Sequence, residues 1–290
     1  MTPKTDMIKG ALWMIGAIAS FTSMAIAGRE VSFELDTFEI MMYRSFVGLA
    51  IMVAVGAMAG RLHEYRTARF RTHVTRNIFH FAGQNFWFYS ISVIPLAQVF
   101  AIEFTSPLWV VVLSPLVLGE RLTPVRALSA LIGFAGILIV TRPSVGTFEF
   151  GQLTAAFAAI GFAGSALVTR RLTWTDSTIC ILFYMTLLQS VFGIVCAFAD
   201  LDVAVPSATA IPWLIVIGLA GLAAHFCITT ALTFAPAAVV MPIDFGRLPV
   251  IALVGFIFYA ETVSPWVLVG AVVIFAGNYL NIRAESRAPR

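Results

Sequence analysis

The chain has 290 residues and a formal net charge of +3, with 60% of its residues hydrophobic and 11% charged. Soluble domains carry roughly 25% charged residues, so the composition excludes an ordinary water-soluble globule and describes an integral membrane protein with no nucleic-acid partner. The cysteines Cys180, Cys196 and Cys227 all fall in apolar segments, and no spacing among them marks a disulfide framework, a metal site or a bound cofactor.

A spanning helix needs about 17 to 25 apolar residues to cross the lipid core. Ten segments qualify, at about 8–28, 37–59, 74–93, 96–118, 123–141, 151–170, 178–199, 212–234, 237–258 and 264–282. The first follows Lys4 and Lys9 and ends on "MAIAGRE", which has the Ala-x-Ala look of a leader cleavage site. The second carries Arg44. The third, "NIFHFAGQNFWFYSISVIP" from Asn77, places His80, Gln84 and Trp87 at i, i+4 and i+7, one stripe of a helix. With Trp13, Phe88 and Trp109 this stripe suits a pocket for a flat amphipathic ligand; Tyr89 suits either that pocket or an interfacial aromatic belt.

The fourth span holds Glu103, Pro107 and Pro115, and the ninth holds Asp244 and Arg247 between Pro242 and Pro249. A charge at helix centre costs about 2.5–3.5 kcal/mol on insertion scales, so such groups face a cavity or a partner. Asp244 and Arg247 share a helical face three residues apart, and Arg44 and Glu103 enter from the same side to similar depth, which predicts one local and one cross-helix ion pair. These four residues read either as structural glue or as groups that bind the charged ends of a substrate. Pro107 frees the carbonyl of Glu103, and Pro249 that of Phe245. The fifth and tenth spans carry small residues at helical spacing, which predicts close packing between them.

Orientation follows Lys and Arg in the loops. Alternating the spans puts 14 of the 18 on one side and only Arg29 and Arg142 on the other. Both termini are therefore expected in the cytoplasm.

Set against itself at a shift of 141, the chain aligns "GALWMIGAIASFTSMAIAGR" at Gly10 with "GQLTAAFAAIGFAGSALVTR" at Gly151. The same register aligns "PLAQVFAIEF" at Pro95 with "PAAVVMPIDF" at Pro236, pairing Glu103 with Asp244, and it sets His225 opposite Gln84. Two five-span halves follow, residues 1–145 and 146–290. Five is odd, so the second half enters the membrane inverted. The first span has an internal counterpart that cannot be a leader, which argues against cleavage. Inverted repeats characterise secondary transporters with a binding site near the midplane.

The ten spans, "LGERLTP" at Leu118 echoed by "YAETVSP" at Tyr259, and the glycine-rich fifth and tenth spans resemble the drug/metabolite transporter superfamily of EamA type over essentially the whole chain. Within it, the length and the aromatic third span look most similar to bacterial aromatic amino acid exporters. The resemblance implies an inner-membrane secondary transporter, monomer or homodimer, that exports small amphipathic metabolites such as amino acids by alternating access. Its ligand would lie among Trp13, His80, Gln84, Trp87, Phe88, Glu103, Trp109, His225, Asp244 and Arg247. No P-loop supplies an ATP motor. The alternatives are an intramembrane enzyme built on His80, His225, Glu103 and Asp244, and a sensor that binds without transporting.

Overall fold

The computed structural model describes residues 7–118, 123–142, 149–199, 201–234, 243–244 and 246–287. Their helices are α1 (Met7–Val31), α2 (Thr37–Met58), α3 (Phe70–Val93), α4 (Leu96–Glu103), α5 (Ser106–Leu118), α6 (Pro124–Thr141), α7 (Phe150–Leu172), α8 (Thr178–Ala197), α9 (Ala210–Phe234), α10 (Arg247–Tyr259) and α11 (Pro265–Arg287), with a short 3-10 turn at Leu62–Tyr65. No strand occurs among the described residues.

Side chains at the helix starts satisfy the amide groups that a first turn leaves without partners. Asp36 Oδ1 accepts from Glu39 N at 2.8 Å while Glu39 Oε2 accepts from Asp36 N at 2.8 Å, a reciprocal cap on α2. Glu39 Oε1 also accepts from Ala204 N at 2.5 Å, which fastens the segment before α9 to α2. Thr123 precedes Pro124 at the start of α6, and Ser177 caps α8.

Among the described residues, seven stretches are long and apolar enough to cross a membrane: α1, α2, α4 with α5, α6, α7, α8 and most of α9. α10 and the apolar part of α11 are shorter. α3 has 24 residues but falls outside that set because it carries Arg71, Arg76, Asn77, Gln84, Asn85 and two histidines. Except for Arg71, these polar side chains are buried, so α3 turns its polar face inward.

The fourth span is broken. α4 ends at Glu103 and α5 restarts at Ser106, ahead of Pro107. Thr105 Oγ1 donates to Ile102 O at 2.7 Å, and Asn278 Nδ2 of α11 donates to Phe104 O at 2.8 Å. A carbonyl left open at the break is thereby satisfied by protein rather than lipid. α4 is buried on nearly every side, from Leu96 to Ile102, which makes it the centre of the bundle. Pro242, Phe245 and Glu120 lie outside the described residues.

The main packing partners cross between the halves. α1 packs on α9 and α3 on α7; α2 packs on α8, α6 on α11 and α4 on α10. Under the shift of 141, α1·α9 and α7·α3 are the same contact made twice, and α2·α8 and α6·α11 each join a helix to its own counterpart, whereas α10 corresponds to α5 and packs on α4. Two copies related by a two-fold rotation give this pattern.

The α6·α11 seam shows the relation residue by residue. A Cβ on Gly136 would stand 2.9 Å from Gly270 O, and one on Gly277 would stand 2.8 Å from Ser129 O. Gly136 corresponds to Gly277 and Ser129 to Gly270, so the two close approaches are equivalent. Gly270→Val is expected to force the backbones apart and destabilise the fold by about 1–3 kcal/mol, read as a lowered unfolding temperature in detergent.

Candidate functional site

The break in the fourth span lets α4 present Glu103 toward α3 and α10. Trp87 Nε1 of α3 donates to Glu103 Oε2 at 2.8 Å. Arg247, at the first turn of α10, donates through Nη2 to Glu103 Oε1 at 3.4 Å and to Asp244 Oδ2 at 2.9 Å. The Arg247 guanidinium also lies over Phe21, Phe100 and Phe104, with ring centroids at 4.5, 5.0 and 5.1 Å. One cation thus joins two acids inside an aromatic box, a setting in which each interaction is stronger than in water.

The expected pairing of Arg44 with Glu103 is corrected here. α2 packs mainly on α8 and α9 whereas α4 packs on α10, so Glu103 meets Arg247 instead. Arg44 is buried, 3.8 Å from Met41 Sδ and 5.9 Å from the Phe88 ring. Its Nε has no hydrogen-bond partner among the described residues.

His80 and His225 approach each other from α3 and α9 with ring centroids 6.1 Å apart. Phe21 of α1 meets His225 edge-on at 6.3 Å, and Phe162 of α7 lies 5.9 Å from His80. Gly221, one turn before His225 on α9, faces Arg44: a Cβ there would stand 3.6 Å from Nη2.

These contacts close on themselves. From Arg44 they run to Phe88, to Trp87 at 5.2 Å, to Glu103, to Arg247, to Phe21, to His225 and back through Gly221 to Arg44. The circuit draws on α1, α2, α3, α4, α9 and α10, and so on both halves. Around it lie buried polar atoms without a hydrogen-bond partner among the described residues: Arg44 Nε, His80 Nε2, Gln84 Oε1, Asp244 Oδ1 and Arg247 Nε. Buried polar atoms in folded proteins are nearly always satisfied, and those that are not call for water or a ligand.

Of the residues expected from sequence, His80, Gln84 and Trp87 are buried along one face of α3, and Trp87, Phe88, Glu103, His225 and Arg247 belong to the circuit with Asp244 beside it. Trp13 packs edge-on against Phe226 in the α1·α9 seam, beside Met14 and Cys227. Trp109 packs against Phe134 of α6 at 4.6 Å. Neither tryptophan contacts the circuit among the described interactions. Tyr89 is exposed and packs on Phe150, as a belt residue does. Phe21, Gly221 and Phe100 were not anticipated, since nothing in their spacing separates them from core residues.

At the end of α3 a second cluster closes one end of the bundle. Buried Arg29 of α1 pairs with Glu261, donates through Nε to Ile91 O at 2.5 Å and through Nη2 to Ile94 O at 2.6 Å. Glu261 Oε2 accepts from Leu96 N at 2.9 Å. The end of α1, the α3–α4 turn and the segment after α10 are thereby held together.

An all-helical bundle of membrane-length segments, with a polar site enclosed between two related halves, has the form of a membrane transporter. The sequence profile of the EamA-like transporter family matches residues 8–142 and again 149–283, and the chain belongs to that family. It is similar to a riboflavin transporter of Vibrio cholerae, 26% identical over 94% of this chain and 93% of that one. A riboflavin transporter of Brucella anthropi is 30% identical over 78% of this chain and 81% of its own. An S-adenosylmethionine uptake transporter of Rickettsia bellii is 24% identical over 96% and 95%. A solved crystal structure shares the fold at a TM-score of 0.65 and 18% identity, covering 96% of this chain and 98% of that one.

Proposed function

We propose that the chain carries a small flat metabolite, an aromatic ring bearing a polar or charged tail, between the two halves of a ten-span inverted repeat, residues 1–145 and 146–290. The observation that carries this is the closed circuit of aromatic and ionic side chains surrounded by buried polar atoms without hydrogen-bond partners among the described residues. Trp87, Phe88 and Phe21 offer ring surfaces. Arg44, His80 and Gln84 offer the unpaired donors and acceptors.

The named relatives carry a flavin and an adenine-bearing sulfonium amino acid, and both ligands combine a flat heteroaromatic ring with a polar tail. The aromatic amino acids expected from the sequence belong to the same chemical class. A neutral flavin fits a site in which Arg247 and Arg44 together match Glu103 and Asp244, two charges of each sign. An amino acid would use Arg44 for its carboxylate. The enzyme alternative needs His80, His225, Glu103 and Asp244 to act together, but Arg247 occupies both carboxylates, which disfavours it.

Alternating access then has two joints. Arg29 with Glu261 closes one end, and the sequence repeat aligns these two with Arg170 and with Glu120, which lies outside the described residues. The protein sits in the inner membrane with both termini and the basic loops on the cytoplasmic side. A single chain supplies the whole circuit, which supports a monomer as the transporting unit, alone or within a homodimer.

Counterflow in proteoliposomes tests the proposal with labelled riboflavin, S-adenosylmethionine and tryptophan. Saturable exchange of at least one, lost in Trp87→Ala, is expected. Exchange of none of them by folded protein, or exchange unaffected by Trp87→Ala, overturns it.

A further inference from the structure

Outside the circuit, at the opposite end of α3 from Arg29, three side chains of metal-binding type converge. His73 Nε2 lies 3.5 Å from Asp176 Oδ1, and Cys180 Sγ lies 3.6 Å from the same oxygen. The three candidate ligand atoms all fall within 4.8 Å of one another. His73 and Cys180 are 0% and 1% exposed.

The His73–Asp176 spacing is too long for a charge-assisted N–H···O hydrogen bond, which runs about 2.7–2.9 Å, while the Cys180 thiol donates to Asp176 Oδ1 at a length usual for sulfur. The spacings of His73 and Cys180 from Asp176 Oδ1 are also those a coordination shell would give, and the His73–Cys180 separation lies within 4.8 Å. A tetrahedral ion held at about 2.0–2.1 Å by nitrogen, 2.0–2.2 Å by oxygen and 2.3 Å by sulfur separates nitrogen from oxygen by about 3.4 Å and sulfur from oxygen by about 3.6 Å. Nitrogen, carboxylate and thiolate together select a borderline-soft divalent ion such as Zn2+.

The surroundings fit as well. Thr175 Oγ1 donates to Asp176 Oδ2 at 2.6 Å, which turns Oδ1 toward the other two ligands. Thr175 and Ser177 are exposed, so an ion reaches the site from solvent.

We infer that His73, Asp176 and Cys180 form a binding site for a Zn2+-class divalent cation, with a water in the fourth position. On coordination Cys180 gives its thiol proton to solvent and binds as thiolate. His73 belongs to α3 in the first half, and Asp176 and Cys180 to the α7–α8 turn and α8 in the second. The ion therefore clips the two halves together at the end where the 59–69 loop packs, with Tyr65 stacked on Phe183 at 4.1 Å. It slows the motion that opens that end.

Co2+ titration of the purified full-length protein, as a spectroscopic stand-in for Zn2+, tests the site. One equivalent is expected to give a thiolate-to-cobalt charge-transfer band that Zn2+ displaces. Cys180→Ser removes the band; Cys196→Ser and Cys227→Ser keep it; Thr175→Ala weakens binding by about tenfold. If Cys180→Ser does not fold, Asp176→Asn supplies the second readout: Zn2+ raises the unfolding temperature of the unsubstituted protein but not of this variant. Absence of a band from the unsubstituted protein, a band that survives Cys180→Ser, or equal Zn2+ stabilisation of Asp176→Asn each overturns the inference.

Discussion

Arg247→Met is expected to destabilise the protein by about 3–5 kcal/mol, the cost of breaking a buried ion pair by removing one partner. Arg247 is 4% exposed and faces Glu103 and Asp244, whose side chains are 15% and 19% exposed. Without it two carboxylates share a space lined by Phe21, Phe100 and Phe104. Replacing the whole cluster, as Glu103→Gln with Asp244→Asn and Arg247→Met, is expected to restore most of the lost stability, because neutral groups of similar size carry no such desolvation cost. The effects are therefore strongly non-additive. Unfolding of detergent-solubilised variants followed by size-exclusion chromatography measures both. An unaltered midpoint in the Arg247→Met protein would show that the pairs do not hold the centre together.

Arg44→Met is expected to behave in the opposite way. Its guanidinium is buried with no carboxylate against it among the described residues, only Met41 Sδ and the Phe88 ring. Burying an ion without a partner costs several kcal/mol, so methionine should leave stability unchanged or raise it. Transport should fall by tenfold or more, about 1.4 kcal/mol or more of lost ligand binding. Stability given up at one residue in this way is characteristic of a functional site. An unfolding midpoint lowered as far as that of Arg247→Met would make Arg44 a structural residue and remove it from the ligand's surroundings.

The two arginines show where sequence reasoning reached its limit. The pairing of Asp244 with Arg247 could be read from their separation of three, because helical geometry fixes it locally. The partner of Glu103 could not be read. Depth and side pointed to Arg44, and only the choice of neighbouring helices, α4 against α10 and α2 against α8 and α9, gives Glu103 to Arg247 instead.

The close α6·α11 approach was legible because small residues at helical spacing admit few other uses in a membrane. α3 shows the converse. Its polar residues lower its hydropathy below that of a lipid-facing span, and the stripe of His80, Gln84 and Trp87 explains this only once those side chains are seen to be buried. His73, Asp176 and Cys180 gave no signal at all: the first two are 103 positions apart, and no spacing motif joins them.

Alternating access requires that the circuit enclose a chamber open to one side of the membrane at a time. Gly221→Cys in a chain with Cys180, Cys196 and Cys227 replaced by serine measures this directly, since a Cβ at Gly221 faces Arg44 with nothing nearer than 3.6 Å. A membrane-impermeant thiol reagent applied from each side of oriented vesicles is predicted to label this cysteine from either side. Transported substrate should protect it, and locking the Arg29–Glu261 end shut with a disulfide should abolish labelling from that side alone. Labelling from neither side, or labelling by lipid-soluble reagents only, would place Gly221 against acyl chains and contradict the account.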